Sequence, residues 1–202
     1  VMLLLLAVIL RYNGRANPKP ARFTHNTPLE IVWTLIPILI LVTLGSFSLP
    51  ILFKQQEIPV ADVTIKATGN QWNWDYEYQL DQPLSFNSAI LDEKDRQGAG
   101  KTDLGQYPRL LAVDNEAVVP VGKIVRIQVT GADVIHKFTV PSFGIKIDAI
   151  PGRLNETWFR ATKEGWYYGQ CSELCGKDHA YMPIEIKAVS KEEFASWVAS
   201  QK

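Results

Sequence analysis

The sequence predicts a mixed membrane and all-β protein: an apolar helical anchor, then an outer domain of sandwich or barrel type closed by a short helix. Three observations predict it. Residues 31–53 run for 23 positions without a charged side chain. Short β-branched and aromatic runs then follow one another from Val63 to Val189, separated by Gly, Pro, Asn and Asp, the pattern of many short strands joined by turns. Ser190 and Glu193 next form a capping-box pair ahead of Phe194, Trp197 and Val198 at helical spacing.

The anchor comes first in the chain. A spanning helix needs about 20 mostly apolar residues to cross a hydrocarbon core of roughly 30 Å. The 31–53 run satisfies this, and Pro37 and Gly45 are tolerable inside a membrane helix. Residues 1–10 are also uncharged but half as long, and read as the tail of a first membrane helix. A signal-peptide core is the competing reading, yet no small-residue cleavage site follows. Arg11, Arg15, Lys19 and Arg22 follow instead, with no acid before Glu30. By the positive-inside rule that segment is cytoplasmic. The expected organisation is a partial transmembrane helix at 1–10, a basic cytoplasmic loop at 11–29, a second transmembrane helix at 30–54 and an outer domain at 55–202.

Composition narrows the function. The 202 residues balance 21 basic against 21 acidic side chains, so no overall positive field exists to bind nucleic acid. From Lys54 onward 17 basic face 20 acidic residues, ordinary chemistry for one soluble domain of roughly 150 residues with its own core. Two Cys exclude a disulfide-stapled miniprotein.

Within that domain, 63–67 is a β-branched run. Trp72, Trp74, Tyr76 and Tyr78 then alternate with Asn73, Asp75 and Glu77, a period of two that marks a half-buried strand. Further strands are expected at 110–113, 117–120, 124–130, 137–140 and 184–189. Residues 92–106 are polar, Gly-containing and aperiodic, so an exposed loop is expected there. Trp74, Tyr76 and Tyr78 read as core packing.

The chemistry lies in Cys171-x3-Cys175-x3-His179-x2-Met182. Thiolate and thioether are soft ligands that, with imidazole, suit copper. A mononuclear blue-copper site needs one Cys, two His and a weak axial Met, so this set has one thiolate too many. Two thiolates can bridge two metal ions, leaving one imidazole to cap each. The second imidazole is His136, 35 residues before Cys171 beside an expected strand, because His25 lies in the basic loop across the membrane. A disulfide and a structural zinc site compete for the same residues. The Met suits zinc poorly and the spacing is unlike a finger, while a disulfide leaves the imidazoles and thioether without a role. Copper is favoured.

These residues carry a family resemblance. The hairpin, the Gln71-Trp72-Asn73-Trp74-Asp75-Tyr76-Glu77-Tyr78 strand, Asp148-Ala149-Ile150-Pro151-Gly152-Arg153 and the Cys/His/Met loop resemble subunit II of haem–copper cytochrome c oxidases, of the bacterial aa3-like kind. The resemblance covers essentially the whole chain. It implies a cupredoxin-like Greek-key β-barrel holding the dinuclear CuA centre, which takes electrons from cytochrome c. These pass to haem in subunit I, where oxygen is reduced to water and protons are pumped. The implied copper ligands are His136, Cys171, Cys175, His179, Met182 and the backbone carbonyl of Glu173. The Glu173 carboxylate would also reach a magnesium ion at the boundary with subunit I.

The resemblance further implies Trp72 as the point where electrons enter and Glu77, Asp114 and Asp133 as docking acids for cytochrome c, with Gln71 as a polar neighbour. Asp81 joins them by proximity in sequence. Asn70 and Asn73 depart from the family, where His and Tyr are usual. Of the two acids flanking the anchor, Glu30 lies on the cytoplasmic side and is the better candidate than Glu57 for a proton-pathway mouth. The implied partners are subunit I, subunit III, cytochrome c and the lipid bilayer, with no nucleic acid. The implied location is the bacterial inner membrane, multi-pass, with the copper domain in the periplasm. A quinol-oxidase subunit II lacks these ligands, and a nitrous oxide reductase copper domain belongs to a larger soluble enzyme. A membrane-anchored copper-binding or copper-delivery protein is the alternative from a different class, and Trp72 with its aromatic strand argues against it.

Overall fold

The computed structural model describes residues 1–201. The chain separates into two units, Val1–Lys54 and Gln55–Lys202. The first holds helix α1 (Met2–Arg11) and most of helix α2 (Thr27–Gln56). Asn26 caps α2, its side-chain oxygen accepting the Leu29 N–H at 3.2 Å, which satisfies one of the unpaired donors of the first turn. No residue of α2 is buried. A 30-residue helix is about 45 Å long, and one that is apolar on every side finds its favourable solvent in lipid. Among the described residues it is the single helix long and apolar enough to cross a membrane, because α1 has ten residues.

The second unit is a sandwich. Its strands are β1 (Val63–Asn70), β2 (Asn73–Tyr78), β3 (Leu84–Ser88), β4 (Ala117–Pro120), β5 (Val125–Gly131), β6 (His136–Val140), β7 (Ile145–Ala149), β8 (Asn155–Phe159), β9 (Gly165–Gln170) and β10 (Pro183–Val189), followed by helix α3 (Lys191–Ser200). They form a five-stranded sheet β3-β2-β1-β5-β8, a three-stranded sheet β4-β10-β9 and the β6-β7 pair. The cupredoxin-like class stands, but these sheets do not close into the expected barrel. One core lies between them and draws residues from all three.

Alternation along β1 and β5 is strict, buried and half-buried side chains taking turns. On β2, Trp74, Tyr76 and Tyr78 point inward and are essentially inaccessible. Phe138 of β6 meets the edge of Trp74 at a centroid distance of 5.1 Å; such pairs contribute about 0.5–1.5 kcal/mol beyond area burial. The Tyr78 hydroxyl accepts the Val118 N–H at 2.8 Å and lies 2.9 Å from the Val118 carbonyl, pinning β2 to β4. Ser190 caps α3 by accepting the Glu193 N–H at 3.1 Å, which seats Trp197 against Tyr78.

Three expectations change. Residues 110–113 form a turn rather than a strand, with Leu110 at φ 66° and Val113 making an isolated bridge to Ile90. Strands β3, β7, β8 and β9 also form: β8 and β9 carry no clear period because most of their positions are half-buried, and β3 and β7 are short with few buried side chains. The third concerns 92–106, which is aperiodic yet not wholly exposed: Arg96 and Lys101 are buried. Arg96 donates to the carbonyls of Lys101 and Tyr107. Lys101 donates to the carbonyls of Val113 and Asp114 and pairs with Glu116 at 2.6 Å. Backbone oxygens and two carboxylates, Glu93 on Arg96 and Glu116 on Lys101, offset the cost of burying two cations.

Glu185 of β10 is fully buried beneath this loop, and its carboxylate accepts the Val113 N–H at 2.8 Å. Burial pushes its pKa up to about 7, against the opposing effects of that N–H, Lys101 and Arg96. The folded state therefore retains a proton that the unfolded chain releases near its ordinary value of 4.5. Stability contributed by Glu185 is full below that lower value and is lost as pH rises through about 7. The Glu185→Gln variant is expected to lack this fall and to gain on the order of 3 kcal/mol over wild type between pH 5 and pH 8. Chemical denaturation of both chains at the two pH values checks it; parallel profiles would contradict it.

Candidate metal centre

Strand β6 and the loop between β9 and β10 build the site. His136 opens β6 and is fully buried, held by the aromatic packing of Phe138 two residues on. Trp74 stands edge-on to the imidazole at 6.0 Å. Gly69 of β1 lies against the ring: a Cβ there would come within 2.9 Å of it. The loop carrying Cys171, Cys175 and His179 leaves β9 and returns at Met182. It is tied at its base by the Cys171 N–H donating to the Met182 carbonyl at 3.0 Å, and to β6 by the Ser172 N–H donating to the Lys137 carbonyl.

This brings His136, Cys171, Cys175 and His179 together. The Cys171 and Cys175 sulfurs are 3.8 Å apart, well beyond the roughly 2.05 Å of a disulfide, and both thiols are free and buried. His136 Nδ1 lies 4.0 Å from the Cys171 sulfur, and His179 Nδ1 lies 3.6 Å from that of Cys175. The Glu173 carbonyl oxygen is 3.4 Å from Cys171 Sγ. Met182 is fully buried. Single-metal ligation wants four donors converging on one centre. Two sulfurs in the middle with one imidazole at each side suit two ions bridged by thiolates.

Electrostatics at the pair are polarised. Burial disfavours the Cys171 thiolate, but hydrogen bonds from His136 and the Lys137 and Glu173 backbone outweigh it and pull the thiol down to about 6. Cys175 is pushed up to about 12 by burial and by the Cys171 charge beside it. Two adjacent thiolates cannot both ionise cheaply without a cation between them.

A second set of contacts joins the site to the β1–β2 turn. Asp133 Oδ1 lies 2.8 Å from His136 Nε2, and its other oxygen accepts the Gln71 N–H at 2.7 Å. The Gln71 side-chain amide donates to the Cys175 carbonyl at 2.8 Å. A carboxylate on the far nitrogen of a ligating imidazole fixes its tautomer and orientation. Asp133, expected as a docking acid, thus also supports His136, a role the sequence offered no signal for.

Trp72 sits in the turn, not in the strand. It is half-buried against the core, with the Lys177 ammonium 5.8 Å from its ring. Gly176 lets it close on the loop: a Cβ there would meet the indole at 2.9 Å. Asp114 accepts the Ala89 N–H beyond the Asn73 end of the β2–β3 pair. Glu77 is exposed further along β2 and pairs with Lys66 at 2.7 Å. Asp81 lies at the opposite turn of the hairpin, lining a hollow with Lys191 and Phe194, and does not join Trp72. Asn70 and Asn73 form an amide cluster with Asp75 and Asn87 on the outer face.

The family model "Cytochrome C oxidase subunit II, periplasmic domain" matches residues 63–189, and its transmembrane-domain counterpart matches 1–51. The chain is 54% identical over 209 residues to cytochrome c oxidase subunit 2 of Cereibacter sphaeroides, a match spanning 98% of this chain and 69% of that protein. It is 44% identical over 207 residues to the Arabidopsis thaliana protein of that name, covering 100% and 77%. Among solved structures, the periplasmic domain of cytochrome oxidase subunit II from Bradyrhizobium japonicum is 58% identical. It superposes with a TM-score of 0.64 over 72% of this chain and 96% of that one.

The contact at Gly69 makes a direct test of the site. Gly69→Ala is expected to push the His136 ring off Cys171 and weaken copper uptake about 10- to 100-fold, the usual size of a disturbed supporting contact. A copper titration of the full chain in detergent measures it; wild-type affinity would contradict the placement of His136.

Proposed function

The chain belongs to the cytochrome c oxidase subunit II family, and from that premise we propose that it takes electrons from a cytochrome c and delivers them to the haem of subunit I. It is a membrane-anchored subunit of a haem–copper respiratory oxidase with its copper domain outside the cytoplasm. The reading adds a multi-pass anchor in a bacterial inner membrane, with the apolar helices 2–11 and 27–56 both in the bilayer, and subunit III as a further neighbour. One observation carries the site assignment: two free thiols 3.8 Å apart, each with its own imidazole.

The donor set fits a dinuclear copper centre, with His136, Cys171, Cys175, His179, Met182 and the Glu173 carbonyl to hold it. Bound there, such a centre supplies one-electron redox chemistry shared over two ions. The chain's own task is to fix geometry before and after the electron arrives. The Cys171–Met182 backbone bond closes the loop, Asp133 orients His136, and Gln71 fastens the Trp72 turn to Cys175. Burial of His136, Cys171, Cys175 and Met182 excludes water from the ligands.

Trp72 is the point at which electrons enter, being an aromatic group that reaches partway to the surface while touching the ligand loop at Gly176. Gln71 and Asp133, joined at the Trp72 turn, serve as docking groups beside it, with Asp114 and Glu77 further out. Lys177 opposes them, so in this reading cytochrome c is steered by these local carboxylates rather than by a net field.

Glu173 offers magnesium one half-exposed carboxylate. Mg²⁺ commonly keeps several waters and takes one or two protein carboxylates, so Glu173 fits as this chain's single contribution, the remaining ligands coming from subunit I and water.

The full chain loaded with copper in detergent is expected to show an EPR signal from one unpaired electron spread over two coppers. Cys175→Ser should abolish it while the far-ultraviolet circular dichroism stays that of the folded domain. In the assembled oxidase, Trp72→Ala is expected to slow electron transfer from cytochrome c at least about tenfold with the copper signal intact, a barrier increase of roughly 1.4 kcal/mol. A one-copper spectrum, or unchanged transfer without Trp72, would overturn the respective assignment.

A further inference from the structure

We propose that Lys137 is a positioning residue for the ligand loop: its ammonium clasps Glu173 of the loop to Asp148 of strand β7 and so holds the Glu173 peptide carbonyl beside the thiol pair. The inference deepens the copper reading and rests on it. Lys137 Nζ is 3.0 Å from Asp148 Oδ1 and 3.0 Å from Glu173 Oε2. Lys137 and Asp148 are direct partners across β6 and β7, so sheet register sets one arm of the clasp. The other arm reaches the loop, and the Lys137 backbone carbonyl takes the Ser172 N–H at 3.1 Å as well. One residue therefore grips two successive positions of the loop, Ser172 through the main chain and Glu173 through the side chain.

The Glu173 carbonyl, 3.4 Å from Cys171 Sγ, follows directly on those two grips. Rotation of that peptide would carry the oxygen away from the sulfur, and the two grips fix the residue from which it projects, while beyond it the Cys175 carbonyl is held by the Gln71 amide. The pleat explains the division of labour on β6. Successive side chains point to opposite faces, so His136 is buried toward the thiols while Lys137, its neighbour, leans over the outside of the loop.

Exposure decides what kind of effect this is. The Lys137 side chain is 22% exposed, and Asp148 and Glu173 are 46% and 45% exposed. Pairs this open add little to stability. Two carboxylates on one largely covered ammonium, anchored by a strand register, fix an orientation instead. The charge acts in the same place. A cation close to the ligand loop favours the more electron-rich state of whatever is bound there, so its removal lowers the reduction potential.

The test uses the full chain in detergent, loaded with copper. Lys137→Met is expected to bind two coppers per chain with an altered EPR hyperfine pattern and visible absorption and a reduction potential shifted to lower values. Lys137→Arg, which keeps the charge and both arms, is expected to retain the wild-type spectrum and potential. A wild-type spectrum and potential in Lys137→Met overturns the clasp. Should that variant fail to fold, Asp148→Asn removes one arm without touching the loop, and the same two measurements decide in the same way. A wild-type chain with no two-copper signal would instead overturn the copper reading beneath it, a result that needs no variant.

Discussion

Two buried thiols held side by side, close enough to share a charge and too far apart to be bonded, are the constraint on which the rest of the outer domain depends. Left to itself such a pair resists double ionisation: burial and the Cys171 charge push Cys175 up to about 12, while hydrogen bonds from His136 and the backbone overcome burial and pull Cys171 down to about 6. A fold that keeps them adjacent must fix both ends of a short loop and place an imidazole at either side. Strands β9 and β10 fix the ends, β6 supplies one imidazole, and the loop itself supplies the other.

The aromatic core serves that arrangement. Trp74 and Phe138 pack edge to face in the interior, and each is also a neighbour of His136, Trp74 through its ring and Phe138 along the strand. Their burial stabilises the domain and, by the same contacts, sets the imidazole. Around this lies a hydrogen-bonded shell in which Asp133, Gln71 and Lys137 each join a ligand-bearing segment to a different strand or turn. The ligands belong to the loop and β6; their directions belong to the sandwich.

The opposite side of β10 carries a different polar device. Glu185 is buried under a segment with no regular period whose Arg96 and Lys101 are also buried, their charges met by backbone carbonyls, an amide, Glu93 and Glu116. It fastens residues 92–116 to the sandwich at a cost that depends on pH. Nothing in the local sequence distinguishes such a segment from an exposed loop, because most partners of its cations are main-chain carbonyls, which residue type does not mark.

Reading Cys171, Cys175, His179, Met182 and His136 as one ligand set required only their chemistry and spacing, and the 23-residue charge-free run likewise marked the anchor by length alone. The β2 period announced Trp74, Tyr76 and Tyr78 as core, since alternation along a strand is a local property. Other facts waited on the tertiary structure. Trp72 continues that alternation but sits in a turn, held there by Gln71 and Gly176; Asp133 looked like a surface acid and is bonded to an imidazole; Lys137 and Asp148 are paired across two strands eleven residues apart. The physical reason is common to all three. Residue type and period fix what a side chain can do and which face it takes, whereas the partner it meets is chosen by strand register and by how the sheets pack.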